Sequence, residues 1–427
     1  MTILLRKLRS AARLAGHSVR RAVSRSRNVS RKQSRHYGKR LQWQWKAARE
    51  RLKNARVIVV NLARAGARRV LTIHKPFVRA SRRTERNLQL FALRREEWQV
   101  ERAVRRLARS RRPIVLGPWL SEVGYEALYW VPFLTWLKNE EGWDPQRVVA
   151  ISRGGVASWY TGLAGTYVET FDHLSPQAFA ARNEARREAA EGSHKQLQLS
   201  ELDRELIAFA CARTGLSDPV VIHPSLMYRL FRHFWLGHRP LSHIEERTRF
   251  ALRQPPTAFD LSGLPREYIA VKAYTAQSLP DSPRNRQLLV RLVSHLAESS
   301  HVVTLDTGFA VDDHGDYLFD RHPRVSTLAG LMTPQNNLEL QTQVIAQATA
   351  FVGTCGGLAW LAPLLGVPTV ALMSDPRFLK AHLHVARQVY SAVGAANFAT
   401  VDLNAVDHLH LDRLTAMPLA VSSEGMR

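Results

Sequence analysis

The apolar positions of this chain follow two regimes that meet at Pro113. Before it, between Leu41 and Ser110, they recur at helical intervals inside arginine-rich stretches such as "LQWQWKAARERLKNARVIVVNLARAGARRVL" and "LQLFALRREEWQVERAVRRLARS". That spacing predicts two or three amphipathic helices preceded by a flexible tail. After Pro113 short apolar runs alternate with helical spacing. "PIVLG" (113–117) reads as a strand ending in glycine, the segment after Gly124 as a helix, and "RVVAIS" (147–152) as a strand running into Arg153-Gly154-Gly155. Another apolar stretch starts at Val156, a polar helical region covers 175–214, and "PVVIH" (219–223) is a further strand.

The alternation restarts beyond "ALRQPPTAFDLSGLPR" (251–266), which has no clear period and reads as a linker. "EYIAVKAY" (267–274) and "HVVTLD" (301–306) read as strands. The helix between them opens with Ser282 as N-cap and Pro283 in its first turn. "RVSTLAG", "TAFVG" and "VPTVALM" are strands, with "NNLELQTQVIAQA" and "LAWLAPLLG" as helices between them. Such a succession on both sides of a linker predicts an α/β protein with two Rossmann-like domains facing a cleft, preceded by a basic helical N-terminal extension. The expected divisions are an extension over 1–112, a first domain over 113–250, the linker, a second domain over 267–400 and a tail over 401–427.

Charge sharpens that division. Residues 1–112 hold 34 Lys+Arg against 5 Glu, a surplus of +29, which leaves −4 on the remaining 315 residues. The basic character therefore belongs to the extension. An arginine-rich amphipathic segment carrying Trp43 and Trp45 suits an anionic membrane surface. Nucleic acid, a targeting segment or a solvated helical face are the other readings, with nucleic acid placed below the membrane. Two cysteines, Cys211 and Cys355, are too few for a disulfide framework and point to a reducing compartment. No run of 18 apolar residues occurs, so no transmembrane helix is expected. The expected location is cytoplasmic, peripheral at the inner membrane face.

The segment with most chemical content is "AFVGTCGGLAWLAPLLGVPTVALM" (350–373), in which a strand turns through Gly353-Thr354-Cys355-Gly356-Gly357 into a predicted helix. Glycines there permit close backbone approach. Free N–H groups of a first helical turn, with the positive end of its dipole, would make a pyrophosphate site.

"VIAQATAFVGTCGGLAWLAPLLGVPTVAL" (344–372) resembles the C-terminal domain of GT-B glycosyltransferases, in particular the ADP-heptose heptosyltransferase-like group. A weaker resemblance reaches "GYEALYWVP", where Glu126 precedes Pro132 by six residues. It covers roughly residues 113–400. Thr354-Cys355 stand where that family usually has an acidic residue, and Tyr125 intervenes between Gly124 and the acid. The resemblance implies a nucleotide-sugar donor bound in the second domain and a glycan or glycolipid acceptor in the first, with no cofactor and no metal. A cell-surface glycan or lipid-linked acceptor is expected, as in polysaccharide biosynthesis.

Sugar transfer needs a base for the acceptor hydroxyl and cationic or N–H groups for the leaving diphosphate. Glu126 is the first candidate base and Glu122 the second. Lys272, Tyr274, Thr275, Thr354, Gly356 and Gly357 are candidates for the donor phosphates. Arg153 and Gly154 are candidates for acceptor or phosphate contact, and the 330–337 loop lies where a nucleobase is expected.

Rival readings attach to the same residues. Gly-x-Cys-x-Gly also fits an amidotransferase nucleophile elbow at Cys355, with His382 or His384 as partner. A nucleotide-sugar epimerase shares the two-domain architecture, and the extension alone would suit a nucleic-acid binder. "DDHGD" (312–316) reads as a loop rather than a metal site, and His223, His233, His238 and His243 lack ligand spacing.

Overall fold

The computed structural model describes residue 91 and residues 93–190, 195–309, 314–319 and 322–406. The helices and tail predicted before residue 91, and the tail after 406, lie outside the described residues. Two all-parallel sheets are present. The first contains β1 (Ile114–Leu116), β2 (Val148–Ser152), β3 (Thr166–Glu169) and β4 (Val220–Ile222) in the order β3-β2-β1-β4. The second contains β5 (Tyr268–Lys272), β6 (His301–Thr304), β7 (Val325–Thr327), β8 (Ala350–Thr354), β9 (Thr369–Met373) and β10 (Phe398–Asp402) in the order β10-β9-β8-β5-β6-β7. β1 and β2 are buried along their whole length, as continuous apolar runs covered on both faces must be.

Helix α1 spans residues 93–108. Next comes a helix that begins as one α-turn (Val123–Tyr125), widens to π-helical geometry over Glu126–Trp130 and continues as α2 (Val131–Glu141). α3 (Pro176–Ala189), α4 (Glu201–Thr214) and α5 (Pro224–Trp235) complete the first half. α6 (Pro283–Ser299), α7 (Asn337–Gln347) and α8 (Lys380–Val393) belong to the second. Ser282 caps α6 as its sequence requires, accepting from Asn285 N–H at 3.1 Å.

Three expectations are corrected. The "LAWLAPLLG" helix is two short 3₁₀ turns, Gly357–Trp360 and Ala362–Leu365; Pro363 has no N–H for the carbonyl four residues back, so an α-helix cannot run through it. The 251–266 segment is irregular but strapped down. Arg253 donates from its backbone N–H to Leu364 O (2.7 Å) and from its guanidinium to Trp159 O (3.1 Å), while Phe259 exchanges two hydrogen bonds with the Gln343 side chain (2.9 and 2.6 Å). It is a linker bonded to both halves rather than a loose one, and one apolar cluster joins Trp130 and Phe133 of the first half to Val344 and Phe351 of the second.

The third concerns the extension. α1, expected within it, packs Val100, Val104 and Ala108 into that same core. The compact unit therefore begins at Leu93 rather than Pro113. Residues 1–92 then hold 26 Lys+Arg against 2 Glu, and the remainder 35 against 34. Among the described residues no helix is long and apolar enough to cross a membrane.

Candidate active site

Parallel sheets expose ligand sites at the carboxyl ends of their strands. The chain turns out of β2 into Arg153-Gly154-Gly155 and out of β8 into Cys355-Gly356-Gly357, and a cavity of about 1350 Å³ is lined from both halves. Glu122, Tyr125, Tyr129, Arg153, Lys195 and Trp235 line it on the first half. Lys272, Tyr274, Thr275, Asp316, Gly356 and Gly357 do so on the second, with His382 from α8.

Paired glycines set how closely the walls approach. A Cβ on Gly124 would stand 2.9 Å from the backbone nitrogen of Gly357, and one on Gly155 would stand 2.5 Å from the carbonyl oxygen of Gln335. The carbonyl of Gly154 accepts from the N–H groups of Leu338 and Glu339 (2.9 and 3.0 Å), so the first turn of α7 is capped by the other half of the protein.

The two candidate bases part company. Glu126, in the π-helical turn, is fully buried and does not line the cavity. Its Oε1 accepts from Ser152 Oγ (2.6 Å) and Tyr160 Oη (2.7 Å). Burial raises its pKa to about 7 against the lowering effect of those two hydrogen bonds. A carboxyl so enclosed presents no face to the cavity. Glu122 stands on the cavity wall. Arg153 donates to Ser121 O at 3.0 Å, fixing the backbone next to Glu122, and lays its guanidinium over Phe179.

On the second half, Lys272 Nζ is 2.7 Å from Asp316 Oδ1 and donates to Leu305 O at 2.8 Å. The other oxygen of Asp316 accepts from the Thr307 N–H at 2.8 Å. Thr275 is bound to the same loop, its Oγ1 accepting from Gly315 N–H at 2.8 Å. Thr354 is not available: buried, its hydroxyl accepts from Tyr274 N–H and donates to Tyr274 O, both at 2.8 Å, stitching β8 to the end of β5. The Gly356-Gly357 turn lies under the Tyr274 hydroxyl, which is 2.9 and 2.8 Å from where Cβ atoms on the two glycines would be. The Tyr274 hydroxyl thus crowds both glycines, and the short 3₁₀ turn that follows them lacks the dipole of a long helix. In the 330–337 loop, Gln335 donates to Phe171 O at 3.0 Å and Asn337 reaches the cavity.

The surroundings of Cys355 do not favour the amidotransferase reading. Burial pushes the Cys355 thiol up to about 12, the wrong direction for a nucleophile. His382 is engaged elsewhere, with Tyr125 Oη 3.1 Å from its Nε2 and Tyr129 Oη 2.7 Å from its Nδ1. Asp312 and Asp313 lie outside the described residues, and among those described no three His, Cys, Asp or Glu side chains are grouped to hold a metal.

Several cavity residues carry no sequence signal. Lys195 stands alone in a polar stretch, yet its ammonium lies 4.4 Å from the Trp235 ring centroid and 5.5 Å from that of Tyr125. Burial lowers its pKa, with the charge of Glu122 acting the other way. Asp316 reads as the end of a loop until β5 brings Lys272 to it.

No protein-family model and no curated protein matches the sequence. Among solved structures the chain is similar to the glycosyl transferase family 9 from Veillonella parvula, at 14% identity over 73% of this chain and 91% of that one, with a TM-score of 0.37. It is similar to the E. coli ADP-heptose lps heptosyltransferase II at 14% identity over 71% and 98%, TM-score 0.40. A putative UDP-N-acetylglucosamine 2-epimerase from Listeria monocytogenes is similar at 12% identity over 71% and 88%, TM-score 0.34. At these identities and TM-scores the likenesses carry no conclusion about chemistry.

Proposed function

We propose that the protein is a glycosyltransferase moving a sugar from a nucleotide-sugar donor to a glycan acceptor. The observation that carries this reading is one cavity with a carboxylate, Glu122, on the first-half wall and Lys272, Thr275 and the Tyr274-covered glycine turn on the second. In this reading Glu122 takes the acceptor proton. Lys272, released from Asp316 or shared with it, and the Tyr274 hydroxyl stabilise charge on the departing diphosphate. Lys195 and Arg153 give the acceptor side two cationic groups, and Trp235 an aromatic face. The acceptor is a cell-surface glycan or lipid-linked sugar.

Thermal unfolding in the presence of ADP, UDP, GDP and their sugars tests the reading. At a hundredfold excess over Kd a bound nucleotide contributes about 2.7 kcal/mol, which is several degrees in Tm. Stabilisation by one nucleoside diphosphate, roughly halved in K272M, is the expected result. Lack of stabilisation by any of them would overturn the proposal, and so would isomerisation of a nucleotide sugar without transfer.

A further inference from the structure

Helix α1 is sorted by charge. Its three acids face the body: Glu96 lies 3.8 Å from Arg229, Glu97 receives a two-pronged ion pair from Arg239, and Glu101 is 3.0 Å from Arg247. Its exposed face carries Arg95, Trp98, Arg102 and Arg106. Spacings of three and four residues put these four within an arc of about 80° at 100° per residue. Trp98 is 58% exposed, an unusual position for a large aromatic, with the Arg102 guanidinium 5.2 Å from its ring centroid. No acid interrupts the stripe. The helix docks through its acids, through Arg105 and Arg109 on Glu141, and through the apolar positions Val100, Val104 and Ala108, so Arg95, Arg102 and Arg106 are not what holds it to the body.

We propose that this outer face of α1 is a docking surface for an anionic lipid bilayer. Two observations favour a bilayer over nucleic acid. The row is borne on a convex helix, whereas single strands lie in grooves whose aromatics stack successive bases. An exposed indole along the edge of an arginine row is also the arrangement that places a ring at headgroup level and cations on lipid phosphates. The chain before this helix, residues 1–92, holds 26 Lys+Arg against 2 Glu, a charge of the same sign. Each arginine near an anionic leaflet contributes about fivefold to affinity.

Sedimentation of the full chain with vesicles of equal parts phosphatidylglycerol and phosphatidylcholine, alongside a single-stranded RNA gel shift, tests the surface. R102Q/R106Q, which keeps helix propensity, is expected to weaken vesicle binding on the order of tenfold or more with the thermal midpoint unchanged; W98Q, which leaves every charge in place, is expected to weaken it several-fold. Should R102Q/R106Q fail to fold, W98Q carries the test alone. Vesicle affinity unchanged in the folded variants, leaving all binding to residues 1–92, would overturn the proposal. A loss confined to RNA would replace the bilayer with nucleic acid.

Discussion

The hydroxyl of Tyr129 lies 2.7 Å from Nδ1 of His382, and that of Tyr125, one turn earlier, lies 3.1 Å from Nε2 of the same ring. These bonds join the helix that follows β1 in the first half to α8 in the second. Burial, with the nearby charge of Lys195, pushes the His382 pKa down to about 4. The ring is therefore neutral at pH 7, donating from one nitrogen and accepting at the other, which suits two hydroxyls that can each do either. One imidazole thus ties the halves together at the wall of the cavity.

A sign follows for acid stability. An unfolded histidine titrates near 6.5 and the folded one near 4, so the unfolded chain binds the extra proton first. Stability from this group is complete above pH 6.5 and is lost as pH falls towards 4, by about 3 kcal/mol at most. H382A is expected to cost about 2 kcal/mol at pH 7.5, from the void and two orphaned hydroxyls, and less at pH 5. Urea unfolding at the two pH values measures this; an equal loss at both would show that the ring is not held neutral.

Two buried carboxyls act in the opposite sense. Burial raises Glu126 and Glu169 each to about 7. Glu169 meanwhile accepts from the backbone N–H groups of Gly155 (2.7 Å) and Phe171 (3.0 Å). An acid whose folded pKa exceeds its unfolded value keeps its proton longer when folded. It therefore weakens the protein as pH rises from 4.5 to 7, by a few kcal/mol for the pair. E126Q preserves an acceptor for Ser152 and Tyr160, and is expected to flatten that limb relative to wild type. Parallel stability profiles for the two proteins across pH 4.5 to 7 would remove the assignment.

Local signals were enough for much of the architecture. Buried parallel strands such as β2 and β8 are continuous apolar runs, and α6 announces itself by Ser282 and Pro283. β3 and β10 were hidden because edge strands such as Thr166–Glu169 and Phe398–Asp402 mix exposed and apolar positions. The site was legible only where one strand end supplies it, as at Lys272 and the glycine turn. Glu126 and Glu122 are four residues apart near the same strand end, and pattern alone cannot tell which is drawn inward. That choice is made by Ser152 and Tyr160, from β2 and the turn that follows it, whose hydroxyls enclose Glu126. His382, Lys195 and Asp316 acquire meaning through partners that are, in turn, 253 and 257, 40, and 44 residues away, which no local period records.

The proposed chemistry divides between the walls. E122Q is expected to reduce kcat by 10²–10⁴-fold with donor KM little changed, since only the proton acceptor is removed. K272M is expected to raise donor KM and weaken nucleoside diphosphate binding on the order of tenfold, and also frees Asp316 to repel phosphate. E126Q should retain most of the activity. Steady-state transfer kinetics on the three variants decide the matter. Activity lost in E126Q and kept in E122Q would return the base to the buried carboxyl and require it to become exposed.

Gly155 offers a test of how the halves are held. Its φ is +79°, and a Cβ would lie 2.5 Å from the Gln335 carbonyl oxygen, a backbone atom that cannot swing aside. Gly162 has nearly the same backbone, φ +75°, with nothing within 4 Å of its Cβ position. Alanine at Gly162 therefore bears only the left-handed conformational cost, about 1–2 kcal/mol. Alanine at Gly155 bears that cost and must also push the Gln335 segment away from the first half, adding about 1–3 kcal/mol as overpacking does. The Gly154 carbonyl would then lose its alignment on the first turn of α7, and the shared core would open along that seam. Thermal unfolding of G155A and G162A is expected to show the larger drop for G155A, with a broader transition as the two sheets uncouple. Equal drops would mean that Gln335 yields without disturbing α7, and that the contact does not hold the halves together.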